Sequence, residues 1–291
     1  MHDLIARLLD EAPVVLDGGW GTQLQARGLA PGECPDVWNL SAPDKVREVA
    51  AAYVAAGSRI ILTNTFGATS LALEGHGAAG QAGAINEAGA RLSREAAGEK
   101  AFVFGSMGPT GKLLMMGEVT PEVLQAAFAD QAAALKAGGV DGLVIETMSD
   151  LEEAKAAIAG AKSTGLPVVA CVVFDSGKDK DRTMMGATVE QAAAVLAAAG
   201  ADVVGSNCGQ GIEGFVGIAR RLRAATDRPL WIKANAGLPE VVEGCTVYRK
   251  TPTEFATVVP ELVKAGAAFV GGCCGTTPEF IAAVKRRLSA G

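Results

Sequence analysis

The sequence predicts one (β/α)8 barrel, a TIM barrel forming a single domain over residues 1–291, on three observations. Eight short β-branched runs recur along the chain, each followed by a polar or glycine-rich exit and an alanine-rich stretch of helical character. The runs are continuously apolar rather than alternating, the pattern of parallel strands covered on both faces. Asp17-Gly18-Gly19-Trp20-Gly21-Thr22 has the wrong spacing for the Gly-x-Gly-x-x-Gly turn of a doubly wound open sheet, which the same alternation would otherwise support. With 49% apolar content, 291 residues can bury the core that such a barrel needs.

Taken in order, the strands are expected at Val14-Val15-Leu16, Ile60-Ile61-Leu62, Phe102-Val103-Phe104, Leu143-Val144-Ile145, 168–174, Val203-Val204, Leu230-Trp231-Ile232 and Phe269-Val270. Helix starts are marked at Thr120-Pro121, Thr251-Pro252 and Thr277-Pro278, each a hydroxyl at the cap with proline in the first turn. Thr251 with Glu254 and Ser149 with Glu152 match the capping box. Gly57, Gly138, Gly165, Gly200 and Gly266 close helical stretches just before the next strand.

Lys and Arg number 26 against 32 Asp and Glu, a net charge of −6 without long like-charge blocks. Neither nucleic acid nor an acidic membrane surface is therefore an expected partner. No run reaches the roughly 18 apolar residues of a membrane span. Met1-His2-Asp3 leads into a short amphipathic segment rather than a basic region and a long apolar stretch, so no secretory signal is expected and the cytoplasm is the expected location. In that compartment six cysteines serve as ligands, nucleophiles or core fillers rather than disulfides. Cys34, Cys171 and Cys245 stand apart, and Cys171, inside the apolar run 168–174, reads as a buried small hydrophobe.

In such a barrel the chemistry sits at the carboxyl ends of the strands. Those exits carry Asp17, Thr63-Asn64-Thr65, Ser106, Glu146-Thr147, Asp175, Asn207-Cys208, Asn235 and Cys273-Cys274. Three sulfurs at two exits, Cys208, Cys273 and Cys274, fit a three-thiolate zinc site with one open position, the arrangement of a catalytic zinc. Adjacent strand residues face opposite ways, so Cys273 and Cys274 can share one ion only if the backbone leaves strand geometry there; Gly271, Gly272 and Gly275 permit it. Asp17 and Glu146 close strands whose exits a barrel brings to a common mouth. Two carboxylates there suit a substrate ammonium, and Gly18-Gly19 offers backbone N–H groups to a carboxylate. Isolated rim carboxylates can equally be solvated or cap helices, and single cysteines are commonly buried and inert. Histidine is limited to His2 and His76, the latter expected in an exposed loop, so a metal-activated thiol explains the composition better than imidazole acid–base catalysis.

Asp17-Gly18-Gly19-Trp20-Gly21-Thr22, Thr63-Asn64-Thr65-Phe66, Gly205-Ser206-Asn207-Cys208 and Gly271-Gly272-Cys273-Cys274-Gly275-Thr276 together resemble the homocysteine S-methyltransferase family, from about residue 14 to about residue 288. Glu146-Thr147 and the segment 233–239 are especially similar to the homocysteine-binding module of cobalamin-dependent methionine synthase. The resemblance implies that Cys208, Cys273 and Cys274 ligate zinc and that homocysteine supplies the fourth ligand as its thiolate. It implies that Asp17 and Glu146 bind the ammonium group, that Gly18, Gly19 and Thr65 hold the carboxylate end, and that Asn207 and Asn235 belong to the same substrate site. The implied reaction is methyl transfer to sulfur, giving methionine.

The folate-binding, cobalamin-binding and reactivation modules of a full-length methionine synthase have no counterpart in this sequence. The expected donor is methylcobalamin on a corrinoid-binding protein or domain, not held by this domain alone, with S-methylmethionine as the small-donor alternative. Betaine calls for an aromatic cage, and Trp20, Phe66 and Tyr248 are the only evident rings near exits. Two other classes compete. A phosphate-binding barrel aldolase or isomerase would use Lys233, near the seventh exit, as a Schiff-base lysine, yet the eighth exit carries thiols where phosphate would bind. A non-catalytic thiol- or zinc-binding barrel would merely present homocysteine to a partner.

Overall fold

A computed structural model describes residues 2–242 and 245–290. Its strands are β1 Val14–Val15, β2 Ile60–Leu62, β3 Phe102–Met107, β4 Gly142–Met148, β5 Val168–Val172, β6 Val203–Gly211, β7 Leu230–Asn235, β8 Pro239–Val242, β9 Cys245–Tyr248 and β10 Ala267–Gly272. Eight of them form one parallel sheet in the order β1-β10-β7-β6-β5-β4-β3-β2, and β8 and β9 make a separate antiparallel hairpin. The end strands meet across a seam, where the Arg59 N–H donates to Val15 O at 2.7 Å and the Ser58 hydroxyl to Leu16 O at 3.2 Å. The result is a nearly closed (β/α)8 barrel ringed by helices, as the apolar rhythm predicts.

All eight expected strands form. Those ending at Met107, Met148, Gly211, Asn235 and Gly272 run on into their polar exits, because backbone pairing there does not depend on apolar side chains. Side chains separate by the two-residue period of a strand. Val15, Ile61, Val103, Leu143, Ile145, Val204, Leu230, Ile232 and Val270 pack outward against the helices. Val14, Leu16, Ile60, Leu62, Phe104, Val144, Val169, Cys171, Val203, Trp231 and Phe269 fill the barrel, so Cys171 is indeed a core filler. The amphipathic opening segment is the helix Asp3–Leu9, and its Leu4, Ile5 and Leu8 join this inner core.

Some boundaries differ from the sequence reading. Asp150, not Ser149, caps the helix Leu151–Lys162, its carboxylate accepting from the Glu152 N–H at 2.8 Å. Thr277 turns its hydroxyl to Glu279 and leaves the cap of the helix Pro278–Ser289 unmade. Gly138 stays right-handed at φ −75°, and the next residue, Gly139, takes the left-handed turn at φ 93°. Thr120 caps its helix as expected, and Thr251 with Glu254 forms a complete capping box. His76 is exposed in a short 3-10 turn. Among the described residues no helix is long and apolar enough to cross a membrane.

The hairpin β8–β9 was not anticipated. It lies outside the barrel wall and leaves Leu238 and Val241 exposed, so it carries no buried-strand pattern. The side chain of Cys245, one of the cysteines set apart above, lies outside the described residues.

Candidate active site

Phe104, Trp231 and Phe269 pack across the barrel with ring centroids 6.0 and 5.4 Å apart, in the core layer beneath the site. Aromatic pairs of this kind contribute about 0.5–1.5 kcal/mol beyond the area that they bury. One two-residue step further along the same strands, the inward positions become polar: Ser106 above Phe104, Glu146 above Val144, Asn207 above Gly205, Lys233 above Trp231, and Cys273 above Gly271. All five line a cavity of about 240 Å³ that opens at the carboxyl end of the barrel.

The thiols reach this layer because the backbone departs from strand geometry, as required. β10 ends at Gly272, and a tight turn follows in which the Thr276 N–H and hydroxyl donate to Cys273 O at 3.1 and 2.6 Å. The Cys273 N–H donates to Ala234 O on β7 at 2.7 Å. On β6 the register slips between Asn207 and Gly211, and Cys208 sits in the left-handed region at φ 60°. Thr147, on β4, is also left-handed at φ 63°, a costly conformation for a β-branched residue. Asn207 holds it from two sides: its Oδ1 accepts from the Thr147 N–H at 2.8 Å, and its Nδ2 donates to Thr147 Oγ1 at 2.7 Å. Irregular backbone therefore recurs where the thiols and Glu146 meet the cavity.

The sulfurs of Cys208, Cys273 and Cys274 lie within 4.8 Å of one another, with Cys208 and Cys274 at 3.8 Å. A tetrahedral ion with metal–sulfur bonds of about 2.3 Å has sulfur–sulfur edges of about 3.8 Å, so the donor set suits zinc with one position left over. The cluster also polarises itself. Cys208 is held far below the ordinary thiol range, at about 3, because Cys273 and Cys274 both hydrogen bond to its sulfur. Those two thiols are pushed up in turn, Cys274 to about 11, chiefly by their bonds to Cys208.

Glu146 is buried, and burial raises its pKa against the opposing pull of Lys233 and of the hydrogen bond from Ser106. Its Oε1 accepts from Ser106 at 2.5 Å, whereas Oε2 has only a long contact with Asn207 Nδ2 at 3.4 Å. Asp17 is buried completely. One oxygen accepts from Lys233 Nζ at 2.5 Å, and the other from Trp20 Nε1 and the Leu62 N–H, both at 2.7 Å.

Of the residues expected at the substrate, Gly18, Gly19, Glu146 and Asn207 line the cavity, while Asp17, Thr65 and Asn235 lie behind its wall. Thr65 donates its hydroxyl to Ser106 O at 2.7 Å, and Asn235 hydrogen bonds Cys208. The Gly19 N–H donates to Thr276, so this glycine contributes mainly its missing side chain: a Cβ there would stand 2.6 Å from Cys273 O. Asp175 is exposed and takes no part. Thr63, Asn64, Trp20, Phe66 and Lys233 line the cavity without having been assigned to the substrate. The signal for Lys233 was its place two residues beyond Trp231 on a strand buried on both faces.

Fold and site together define a (β/α)8 barrel with three thiols gathered at the rim of its cavity. The family model for homocysteine S-methyltransferase matches residues 14–288. The methionine synthases of Mycobacterium tuberculosis and Mycobacterium leprae are each 30% identical to this chain over 97% and 99% of its length, and the chain spans 25% of theirs. Crystal structures of the homocysteine methyltransferase MmuM from Escherichia coli, in metallated and oxidized forms, are each 27% identical. They superpose with TM-scores of 0.79 and 0.80, over 97% and 98% of this chain and 98% and 100% of theirs. The chain belongs to the homocysteine S-methyltransferase family.

Proposed function

We propose that this barrel is a zinc-dependent enzyme that transfers a methyl group to the thiol of homocysteine, forming methionine. The observation that carries the reading is the convergence of three sulfurs within 4.8 Å of one another on the wall of a cavity that also presents a carboxylate. Cys208, Cys273 and Cys274 would hold the zinc, in keeping with the metallated form known for the Escherichia coli relative. When bound, zinc supplies a Lewis-acidic centre that keeps an incoming thiol ionised near neutral pH.

The chain's own groups orient the acceptor. Glu146 offers its free Oε2 to the ammonium group, and Asn207 and Ser106 fix that carboxylate. The Gly18 N–H has no partner among the described residues, and the helix Trp20–Gln25 begins two residues later. Gly18 and the first-turn N–H groups of that helix, on the cavity wall, suit the substrate carboxylate. Asp17, Gly19, Thr65 and Asn235 support this arrangement from behind. The acceptor thiol gives its proton to water, its sulfur forms the new bond to the methyl carbon, and the donor leaves with the electron pair of the broken bond.

Two donors fit. A methyl-corrinoid protein or domain is favoured by apolar side chains exposed on the loops at the mouth: Leu113, Met115 and Met116 after β3, Met184 and Met185 after β5, and Leu238 and Val241 after β7. A small donor such as S-methylmethionine is the alternative, since the family relative MmuM is matched over nearly its whole length. Methyl transfer to homocysteine, assayed with methylcobalamin, S-methylmethionine and betaine in parallel, separates these readings. No methionine from any donor, with zinc bound, would leave only a thiol-binding barrel.

A further inference from the structure

We infer that Lys233 is a positioning residue that neutralises Asp17 from within, so that the ammonium group of the amino-acid thiol is met by Glu146 alone. This rests on the functional reading above. Lys233 is 1% exposed, the one lysine among the largest fully buried side chains. In the sheet β10 lies between β7 and β1, and Lys233 is in register with Gly271 on β10. A Cβ at Gly271 would stand 2.5 Å from Leu16 Cβ and 2.7 Å from Asp17 O, so the bare strand position lets the end of β1 pack close and brings Asp17 within reach of the lysine. There its Nζ lies 2.5 Å from Asp17 Oδ1.

Asp17 has little left to offer a substrate. Its second oxygen already accepts from Trp20 and Leu62, and the residue is absent from the cavity wall on which both Lys233 and Glu146 stand. Burial pulls the Lys233 ammonium down, and Asp17, Glu146 and the Cys273 sulfur more than offset that pull, so the lysine stays charged. Asp17 and Lys233 sum to zero. Glu146 leaves a single negative charge, which one substrate ammonium balances, and its Oε2 has the vacant acceptor capacity.

The test is isothermal titration calorimetry on the zinc-loaded protein with two thiols, homocysteine and 4-mercaptobutanoate, which lacks only the ammonium group. The wild type should prefer homocysteine by about tenfold or more, the strength of a charge-assisted hydrogen bond. The double variant Asp17→Asn with Lys233→Met removes both charges of the pair together, and above the pH range in which Glu146 titrates it should keep that preference and the affinity for each thiol. Glu146→Gln should abolish the preference. Loss of the preference in the double variant overturns the inference by returning Asp17 to the ammonium site. A fall in affinity for both thiols alike overturns it differently, by putting Lys233 on the substrate carboxylate. A preference that survives in Glu146→Gln also overturns it, whether or not the double variant folds. A wild type that binds zinc but shows no preference for homocysteine refutes the functional reading itself, and the inference with it.

Discussion

Replacing Asp17 by alanine tests how much of the site is also scaffold. The carboxylate has three donors and no access to solvent: Lys233 Nζ at 2.5 Å, Trp20 Nε1 at 2.7 Å and the Leu62 N–H at 2.7 Å. The Leu62 bond lies at the seam between β1 and β2, where few backbone bonds cross. Alanine orphans a buried ammonium and a buried N–H at once. Breaking a buried ion pair from one side costs about 3–5 kcal/mol, and an unpaired N–H adds about 1–3. Water entering the space left behind offsets part of this, so about 4 kcal/mol is a fair expectation. Unfolding entropy near 2.1 cal/mol/K per residue gives about 0.6 kcal/mol/K for a chain of 291 residues, and a fall in Tm of about 6 °C follows. Thermal melts should be run on metal-free protein, so that loss of zinc does not contribute, beside Asp17→Asn, which keeps the shape and should fall between the two. A melt of the alanine variant within a degree of wild type would refute the view of Asp17 as an internal anchor.

Two further outcomes bear on the centre itself. Zinc content near one ion per chain should drop sharply in Cys208→Ala, Cys273→Ala and Cys274→Ala, measured by atomic emission; full retention in all three removes the site. Homocysteine affinity should decline on acidification, starting above the ordinary glutamate range, because burial raises the pKa of Glu146 and only its ionised form pairs with an ammonium. With metal content checked at each pH, calorimetry should show a steeper acidic limb in wild type than in Glu146→Gln, where only the proton released by the thiol remains linked to binding. An identical limb in both would place the titration elsewhere.

The eightfold rhythm was legible because each strand is buried on both faces, which leaves an uninterrupted apolar run in the sequence. The thiols were legible because glycines flank Cys273-Cys274, and they mark the turn that lets neighbouring residues share one ion. Three things were not. The hairpin β8–β9 rests on the barrel through Tyr248 and leaves Val241 exposed, so no continuous apolar run marks it. The helix start at Asp150 depends on which of two adjacent polar residues turns inward. The pairing of Asp17 with Lys233 spans 216 residues and a strand with no side chain at Gly271, a contact that no local spacing encodes.

That pairing changes how substitutions in this family member should be read. A strand places its side chains in steps of two, so the residues that meet substrate rise directly from those that fill the barrel, and chemistry and stability share a layer. A single change at Asp17 or Lys233 leaves a buried charge behind, and any loss of activity then mixes misplacement of Glu146 and Cys273 with loss of substrate contact. Removing both charges together keeps the layer neutral and the seam bond intact through the asparagine oxygen. Only in that background does an effect on homocysteine affinity report on recognition, because the electrostatic disturbance common to both single variants has been cancelled.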